Sequence, residues 1–250
     1  MQKYLTLVRR ELSGYFASLS GYVIIAAVLF LLGLTFSEIL YDLNREATEM
    51  PVTEGFFVTF YFWIIFLLTA PVMTVRSFAH EKASGTYETL MTSPVGDLQV
   101  VLAKFTGAMV FYALTWLPLL GYLLFVRGYS NDPSALDPRV VASTFLGILL
   151  IGGVYMALGC FASSLTRSQV IAAIMSYAMG LTLFLLSLRT LSPAPLTGWS
   201  MKIYSHIAMT DYLEQFARGL VDTRALVYYL SLTILFLFLT WKVVEIRRWR

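Results

Sequence analysis

The sequence has few of the residues from which enzymatic and metal sites are usually built. It contains one cysteine, Cys160, and two histidines, His80 and His206, among 250 residues. A single cysteine excludes an intrachain disulfide and a multi-cysteine metal site, and Cys160 lies in an apolar run, where we expect a small buried side chain. The histidines are far apart and form no H-E-x-x-H motif. We therefore expect neither a metal nor a cofactor on this chain.

Nucleotide-binding and hydrolytic motifs are missing as well. There is no G-x-x-x-x-G-K-S/T phosphate loop, so the chain does not bind ATP by that route. No serine lies in a G-x-S-x-G elbow, which leaves serine hydrolase chemistry without support. We expect no catalytic residues. The net charge of +3 is modest and gives no indication of a nucleic-acid partner.

Charged residues are also scarce, whereas apolar residues are abundant. Asp, Glu, Lys and Arg make up 13% of the chain against 58% hydrophobic residues, which is typical of polytopic membrane proteins. Six apolar runs are each close to the roughly 20 residues that cross a bilayer as a helix. We predict an all-α membrane domain with six spans: Gly21–Ile39, Phe56–Val75, Val100–Val126, Val140–Leu165, Val170–Leu188 and Ala225–Val244.

The spans themselves carry little chemistry. None has an ionisable residue near its centre, whereas proton- or sodium-coupled carriers usually have one. The fourth and fifth spans are rich in small residues that allow helices to approach closely, either within the subunit or across a dimer interface. For the fourth span we favour packing within the subunit. These residues are Ser143, Gly147, Gly152, Gly153, Ala157 and Gly159, followed by Ala172, Ala173, Ser176, Ala178 and Gly180.

The distribution of basic residues predicts the orientation. An even number of spans places both termini on one side, and 11 of the 18 Lys and Arg residues fall on that side, together with the polar segment 76–104. By the positive-inside rule, both termini and this segment face the cytoplasm.

The first 19 residues predict an amphipathic helix lying in the membrane interface with its basic residues toward anionic lipid. One face carries Leu5, Val8, Leu12 and Phe16, and the opposite face carries Lys3, Thr6, Arg10 and Ser13.

A polar break between the second and third spans, residues 76–104, is the strongest candidate for a functional site. Two short helices are predicted there, one ending near Ala83 and one spanning Tyr87–Thr92, because Gly85 lies between them. Such a compact helical unit is suited to docking into a groove of another protein. The alternative is an ordinary solvated loop between two spans.

Local signals set the ends of these helices. We expect Thr86 to cap the second short helix, Pro94 to end it, and Asp97 to cap the long helix that follows. The predicted unit has two faces, with Glu81, Lys82 and Glu88 on one and Tyr87, Leu90 and Met91 on the other.

The predicted external segments differ in character. Residues 40–55 are polar and acidic, and we interpret them as a short helix and turn in a solvated linker. Residues 191–224 predict an amphipathic helix from Asp211 to Arg218, capped by Asp211, with Glu214 completing a capping box and pairing with Arg218. Gly219 ends this helix and Asp222 caps the last span. The helix either shapes an exit vestibule or packs as a lid over the spans.

Two parts of the chain resemble a known family. The polar break resembles the coupling region of ABC-2 type transporter permeases through the motif Glu81-Lys82-x-x-Gly85-Thr86-x-Glu88-x-Leu90-x-x-Ser93-Pro94, followed by Lys104. The C-terminal part is similar to the gliding-motility-associated subgroup through Phe216-x-Arg218-Gly219-x-x-Asp222-x-Arg224, Tyr228-Tyr229-Leu230 and Glu245-x-Arg247-Arg248-Trp249. The resemblance covers essentially the whole chain.

The resemblance implies the permease subunit of an ABC exporter in the bacterial cytoplasmic membrane. Its expected partners are two cytoplasmic ATPase subunits, which hold ATP and Mg, a second permease, identical or related, and membrane lipids; an accessory extracytoplasmic protein is also compatible. The ATPase would contact the N-terminal helix at Arg9, Arg10 and Glu11. It would also contact a coupling helix that contains Glu81, Lys82, Gly85, Thr86, Glu88, Leu90 and Pro94.

The resemblance also implies a dimer seam and a mechanism. Spans one and five would meet across the dimer, with Ala172, Ala173 and Ser176 near the seam. ATP-driven closure of the ATPase subunits would pull on the segment 76–104, and spans two and three would transmit the movement. Two alternatives stay open, an ATP-independent carrier and a membrane scaffold within a larger ATP-driven machine. The sequence does not identify the substrate.

Overall fold

The computed structural model describes residues 2–45, 52–92, 95–129, 137–188 and 208–248. Every regular element in these ranges is helical. In chain order the elements are α1 (Gln2–Phe16), α2 (Leu19–Arg45), α3 (Val52–Val58), α4 (Phe60–Val75), a π-helical turn (Arg76–His80), α5 (Glu81–Ser84), α6 (Thr86–Thr92), α7 (Asp97–Tyr129), α8 (Pro138–Leu165), α9 (Gln169–Leu188), α10 (Met209–Ala217) and α11 (Thr223–Arg248).

The prediction of six spans in an all-α fold is confirmed. Within the described ranges, six helices are long and apolar enough to cross a bilayer: Leu19–Asp42, Tyr61–Ser84, Asp97–Gly128, Pro138–Leu165, Gln169–Leu188 and Thr223–Ile246. Each overlaps one predicted span. The fourth and fifth spans form a tight hairpin, since only residues 166–168 separate α8 from α9.

Helix α8 forms the centre of the bundle. It contacts α4, α7, α9, α10 and α11, and most of its length is buried. Its glycines make this possible because large side chains from neighbouring helices occupy the space where a Cβ atom would lie. A Cβ built on Gly152 would lie 2.1 Å from the Tyr112 ring, and one built on Gly159 would lie 2.0 Å from the Thr74 hydroxyl. The prediction that this span packs within the subunit is confirmed.

Aromatic side chains fill the core beside α8. The Phe66 and Tyr155 rings lie edge to face with their centroids 4.4 Å apart, and Trp116 packs against Phe62 at 5.4 Å. The Tyr112 hydroxyl donates a hydrogen bond of 3.1 Å to the Ile148 carbonyl, so this buried polar group is satisfied.

The predicted start of the second span is wrong. Phe56 belongs to α3, a separate short helix, and the spanning helix α4 begins only at Phe60, after a break at Thr59. Within the predicted linker 40–55, Thr53 and Glu54 are packed against the bundle and not solvated, because Glu54 is 3% exposed and Thr53 donates a hydrogen bond to the Ala217 carbonyl. Residues 46–51 lie outside the described ranges.

The bundle has two ends, named here after the short helices that mark them. The α1 end carries α1, α5, α6 and the link between α8 and α9. The α10 end carries α3 and α10, which contact each other. The predicted external segment is described only from residue 208, since residues 189–207 lie outside the described ranges.

The close approach at Gly152 yields a testable prediction. Gly152→Ala places a methyl group inside the fully buried Tyr112 ring, so we expect the free energy of unfolding to fall by about 1–3 kcal/mol, as for other overpacked cores. At the neighbouring Gly153 the nearest side-chain atom, Thr233 Oγ1, is 3.4 Å away. Gly153→Ala is therefore the matched control and is expected to fold normally. Thermal unfolding in detergent checks the pair, and equal midpoints would contradict the packing described.

Candidate functional site

The polar break continues the second span instead of leaving it as a loop. After Val75 the helix widens into the π-helical turn, and Ser163 on α8 fastens this turn. The Ser163 hydroxyl accepts hydrogen bonds from the backbone N–H groups of Phe78 (3.1 Å) and Ala79 (2.9 Å) and donates one to the Val75 carbonyl (3.0 Å). A π turn disturbs the ordinary backbone hydrogen bonds, and a neighbouring hydroxyl compensates for this.

Gly85 separates the two short helices, as predicted. Its φ angle is +76°, a conformation that L side chains rarely adopt, so the chain can turn between α5 and α6. The predicted helix boundaries are close, since α5 ends at Ser84 and α6 spans Thr86–Thr92. Thr86 is the first residue of α6, and its hydroxyl contacts the Ser84 hydroxyl at 2.9 Å. Pro94, the predicted stop, lies outside the described ranges.

A cluster of charges, buried at Glu81 and Lys104 and exposed at Arg10, joins α1, α5 and α7. The Lys104 ammonium on α7 is 2.9 Å from Glu81 Oε1 and 3.0 Å from Glu11 Oε1, and Arg10 Nη2 donates to the same Glu81 oxygen at 2.7 Å. Lys104 is 2% exposed. An unpaired ammonium at this position would be strongly unfavourable, so the two carboxylates are needed to hold it there.

Three of the predicted coupling residues point inward, and this corrects the two-faced unit predicted from the sequence. Glu81 is 7% exposed within the charge cluster, and Lys82 is buried with its ammonium bound to the Ser164 carbonyl of α8. Leu90 is also buried and belongs to the same apolar cluster as Phe78 and Val101. For Glu81 and Lys82 the physical reason is that α5 continues the spanning helix, which turns these two side chains toward Lys104 on α7 and Ser164 on α8.

The other predicted coupling residues are exposed. Gly85, Thr86 and Glu88 all face outward, and Thr89 extends this surface. A groove of about 720 Å³ runs between α6 and α1. It is lined by Gln2, Lys3, Thr6, Leu7, Arg10, Thr86, Thr89, Leu90 and Val95.

Helix α1 packs against α7 through its polar and aromatic side chains. The Tyr15 and Phe111 rings stack with centroids 4.6 Å apart, and the Tyr15 hydroxyl donates to the Met73 carbonyl at 2.8 Å. Burial raises the pKa of the Tyr15 phenol. Among the three residues predicted for this helix, Arg9 is exposed, whereas Arg10 and Glu11 belong to the charge cluster.

The residues predicted for a dimer seam lie mostly inside the subunit. Ala172 is 1% exposed and Ser176 is 3% exposed, whereas Ala173 is half-buried. The exposed face of α9 is instead large and apolar, and it includes Val170, Ile171, Ile174 and Tyr177. Small residues face α8 and α4 on this helix because close packing within the chain requires them.

At the α10 end, an ion pair fixes the short helix before the last span. The Arg218 guanidinium makes two hydrogen bonds to the buried Glu54 carboxylate, at 2.6 and 3.0 Å. The predicted partner of Arg218 was Glu214, which lies on the same helix. Sequence reasoning missed Glu54 because it is 164 residues away and was assigned to a linker.

The predicted capping of this helix is partly wrong. Helix α10 begins at Met209 with Ala208 at the N-cap position, so Asp211 lies within the first turn and is not the N-cap residue. Burial, with Asp211 and Glu54 nearby, raises the pKa of Glu214. Gly219 ends the helix with a φ angle of +84°, and the Asp222 side chain accepts from the Arg224 N–H at 2.8 Å at the start of α11, both as predicted.

The charge cluster yields a second prediction. Lys104→Met leaves Glu81 and Glu11 without their shared cation, so we expect the free energy of unfolding to fall by about 3–5 kcal/mol. Lys242 is the control, because its pair with Glu245 is half-exposed and Lys242→Met should cost less than about 1 kcal/mol. Titration with SDS in mixed micelles measures both variants. A similar loss of stability in both variants would show that Lys104 stabilises the protein no more than the half-exposed Lys242 does.

Comparison with known proteins agrees with this architecture. None of the curated proteins matches the chain in a sequence search. The chain does match the family described as ABC-2 family transporter protein, over residues 38–244. This match begins in α2, ends in α11 and includes the charged residues Glu81 and Lys104. The chain therefore belongs to the ABC-2 transporter family, and it is a multi-pass membrane permease component of an ABC transporter.

Proposed function

We propose that this permease exports a substrate across the bacterial cytoplasmic membrane, driven by ATP hydrolysis on separate cytoplasmic ATPase subunits. In this proposal both termini and the α1 end face the cytoplasm, and the groove between α6 and α1 receives the ATPase. ATP and Mg are bound by the ATPase partner. The observation that carries the proposal is the exposed surface of Gly85, Thr86, Glu88 and Thr89 beside that groove.

The composition of the groove supports a protein partner. Its wall combines apolar side chains, Leu7, Leu90 and Val95, with the basic residues Lys3 and Arg10 at the α1 side. Glu88 adds an acidic residue on the exposed face of α6. Apolar contact with charged groups around it is the usual anatomy of a protein interface.

The charge cluster supports transmission of force from this surface. A push on α5 or α6 acts on Glu81, which is tied through Lys104 to α7 and through Arg10 to α1. The π-helical turn is tied to α8 through Ser163. We propose that α1, α5, α6 and the adjoining ends of α4 and α7 move together when the ATPase subunits close, as a rigid-body displacement.

A second permease completes the proposed complex. The apolar face of α9, with Ile171 and Ile174, is the surface of this helix that such a partner or lipid would cover, whereas Ala172 and Ser176 are already buried. The transport pathway would lie between the two permeases. The gliding-motility subgroup, and the related role of a force-transmitting anchor, stay predictions from the C-terminal motifs.

The proposed docking surface yields a third prediction. Glu88→Arg reverses a charge on exposed α6, and we expect roughly tenfold weaker association with the ATPase, which corresponds to about 1.4 kcal/mol. Asp42→Arg makes the same reversal on an exposed residue near the opposite end of the first span and should leave association unchanged. The measurement is the amount of ATPase that co-purifies in mild detergent, and the ATP turnover of the complex.

The outcomes of this comparison separate the alternatives. Normal association of the Glu88→Arg permease would mean that the ATPase docks elsewhere. If no ATPase accompanies the unmodified permease and transport proceeds without ATP, the ATP-independent carrier is correct instead.

Orientation yields a fourth prediction. Cys160 is fully buried, so we expect it not to react when cysteines introduced at exposed sites are labelled. In intact cells we expect Glu88→Cys to be protected from a membrane-impermeant maleimide and Asp137→Cys to react, because they lie at opposite ends of the bundle. Both should react after the membrane is permeabilised. The reverse pattern would place the α1 end outside and overturn the proposed docking.

A further inference from the structure

A polar notch of about 260 Å³ opens beside the charge cluster, between α1 and the π-helical turn. It lies next to the start of the first span, because Arg76 Nη1 on its wall donates a hydrogen bond to the Ser20 hydroxyl. The notch is lined by Arg10, Glu11, Gly14, Tyr15, Arg76, Ser77, His80 and Glu81.

The charges around this notch do not cancel. Glu81 is neutralised by Arg10 and Lys104, and Glu11 by Lys104. Arg76 is exposed, and among the described residues its hydrogen bond goes to a neutral hydroxyl and not to a carboxylate. The five charged groups of the notch and the cluster therefore sum to +1, with Arg76 as the cation left over. A guanidinium in this state is suited to a phosphate group, which it can bind through two parallel hydrogen bonds.

The surroundings of the notch place it at the level of lipid headgroups. Immediately beyond α1 the chain exposes large apolar side chains, with Leu19 82%, Tyr22 59% and Val23 59% exposed at the start of the first span. Phe16 at the end of α1 is also exposed. Exposed apolar side chains at the start of a span face the lipid acyl chains. The neighbouring Arg76 therefore lies at the boundary between the acyl chains and the lipid phosphate groups.

We propose that this notch is a binding site for an anionic phospholipid of the leaflet on the α1 side, with its phosphate held by Arg76 and, from the opposite wall, by the half-exposed Arg10. Gly14 lines the notch beside open space, since a Cβ atom at this position would meet nothing within 4 Å, so a large side chain there would extend across the entrance. Because Arg10 also binds Glu81, lipid in the notch contacts the same side chain that links α1 to α5. The site does not depend on the ATPase docking proposed above.

The test measures lipid binding to the full chain in detergent by native mass spectrometry, with phosphatidylglycerol as the probe and phosphatidylcholine and inorganic phosphate as comparisons. We expect phosphatidylglycerol to bind most tightly. Arg76→Ala should weaken it about tenfold or more, because it removes the charge-assisted hydrogen bonds of the guanidinium to the phosphate. Gly14→Leu should weaken it similarly by filling the entrance, with every charge left in place. Arg9→Ala removes an exposed arginine of α1 that does not line the notch, and should change nothing.

Several results would overturn the proposal. Unchanged phosphatidylglycerol binding in Gly14→Leu would do so even if Arg76→Ala failed to fold, because leucine favours a helix more than glycine does. An equal loss in Arg9→Ala would indicate diffuse attraction to basic residues instead of a site. Equal affinity for phosphatidylcholine would remove the requirement for an anionic lipid. Equal affinity for inorganic phosphate would identify a free anion as the ligand.

Discussion

The buried Lys104 ammonium must stay paired with carboxylates, and this requirement determines how the helices at the α1 end are held together. Helices α5 and α6 have four and seven residues, too few to be stable alone. They hold their positions because Glu81 supplies a carboxylate to a cation that α7 buries, and because Leu90 reaches the apolar cluster beneath. Helix α1 is bound by the same requirement through Glu11. Helices α1, α5 and α7 can move together, but separating them would leave a buried charge without its partner.

The α10 end uses a related solution. There the buried member of the pair is an acid, Glu54, and the arginine that neutralises it comes from the end of a short helix. Between these two ends the bundle is held by close packing against the glycines of α8, where little polar chemistry is present. The structure is therefore a bundle with a tightly packed middle and with short helices held by ion pairs at each end.

The parts of the fold that the sequence predicted follow from strong local constraints. A bilayer requires about 20 apolar residues per helix, so the six spans were visible, and the positive φ angles at Gly85 and Gly219 were indicated by glycine at helix ends. The errors concern contacts between distant segments. Glu81 and Lys82 were assigned to the surface because their partners, Lys104 on α7 and the Ser164 carbonyl on α8, come close to them only in the folded chain.

The same limit applies to two other sets of contacts. Nothing near Glu54 in the sequence indicates that Arg218 will reach it, and the small residues Ala172 and Ser176 suit a dimer seam and an internal helix contact equally well. Family membership could be inferred from the polar break because its motif is local.

The π-helical turn has a consequence for the register of everything after it. Successive residues of an α-helix are rotated by about 100° around its axis, and a π turn accommodates roughly one extra residue. Removing one residue from this turn would therefore let an unbroken α-helix run on, but with α5 swung by about a quarter of a revolution. Glu81 would then point away from Lys104, although the hydropathy of the span would stay almost the same. The length of this turn therefore sets the direction in which the side chains of α5 point relative to those of α4.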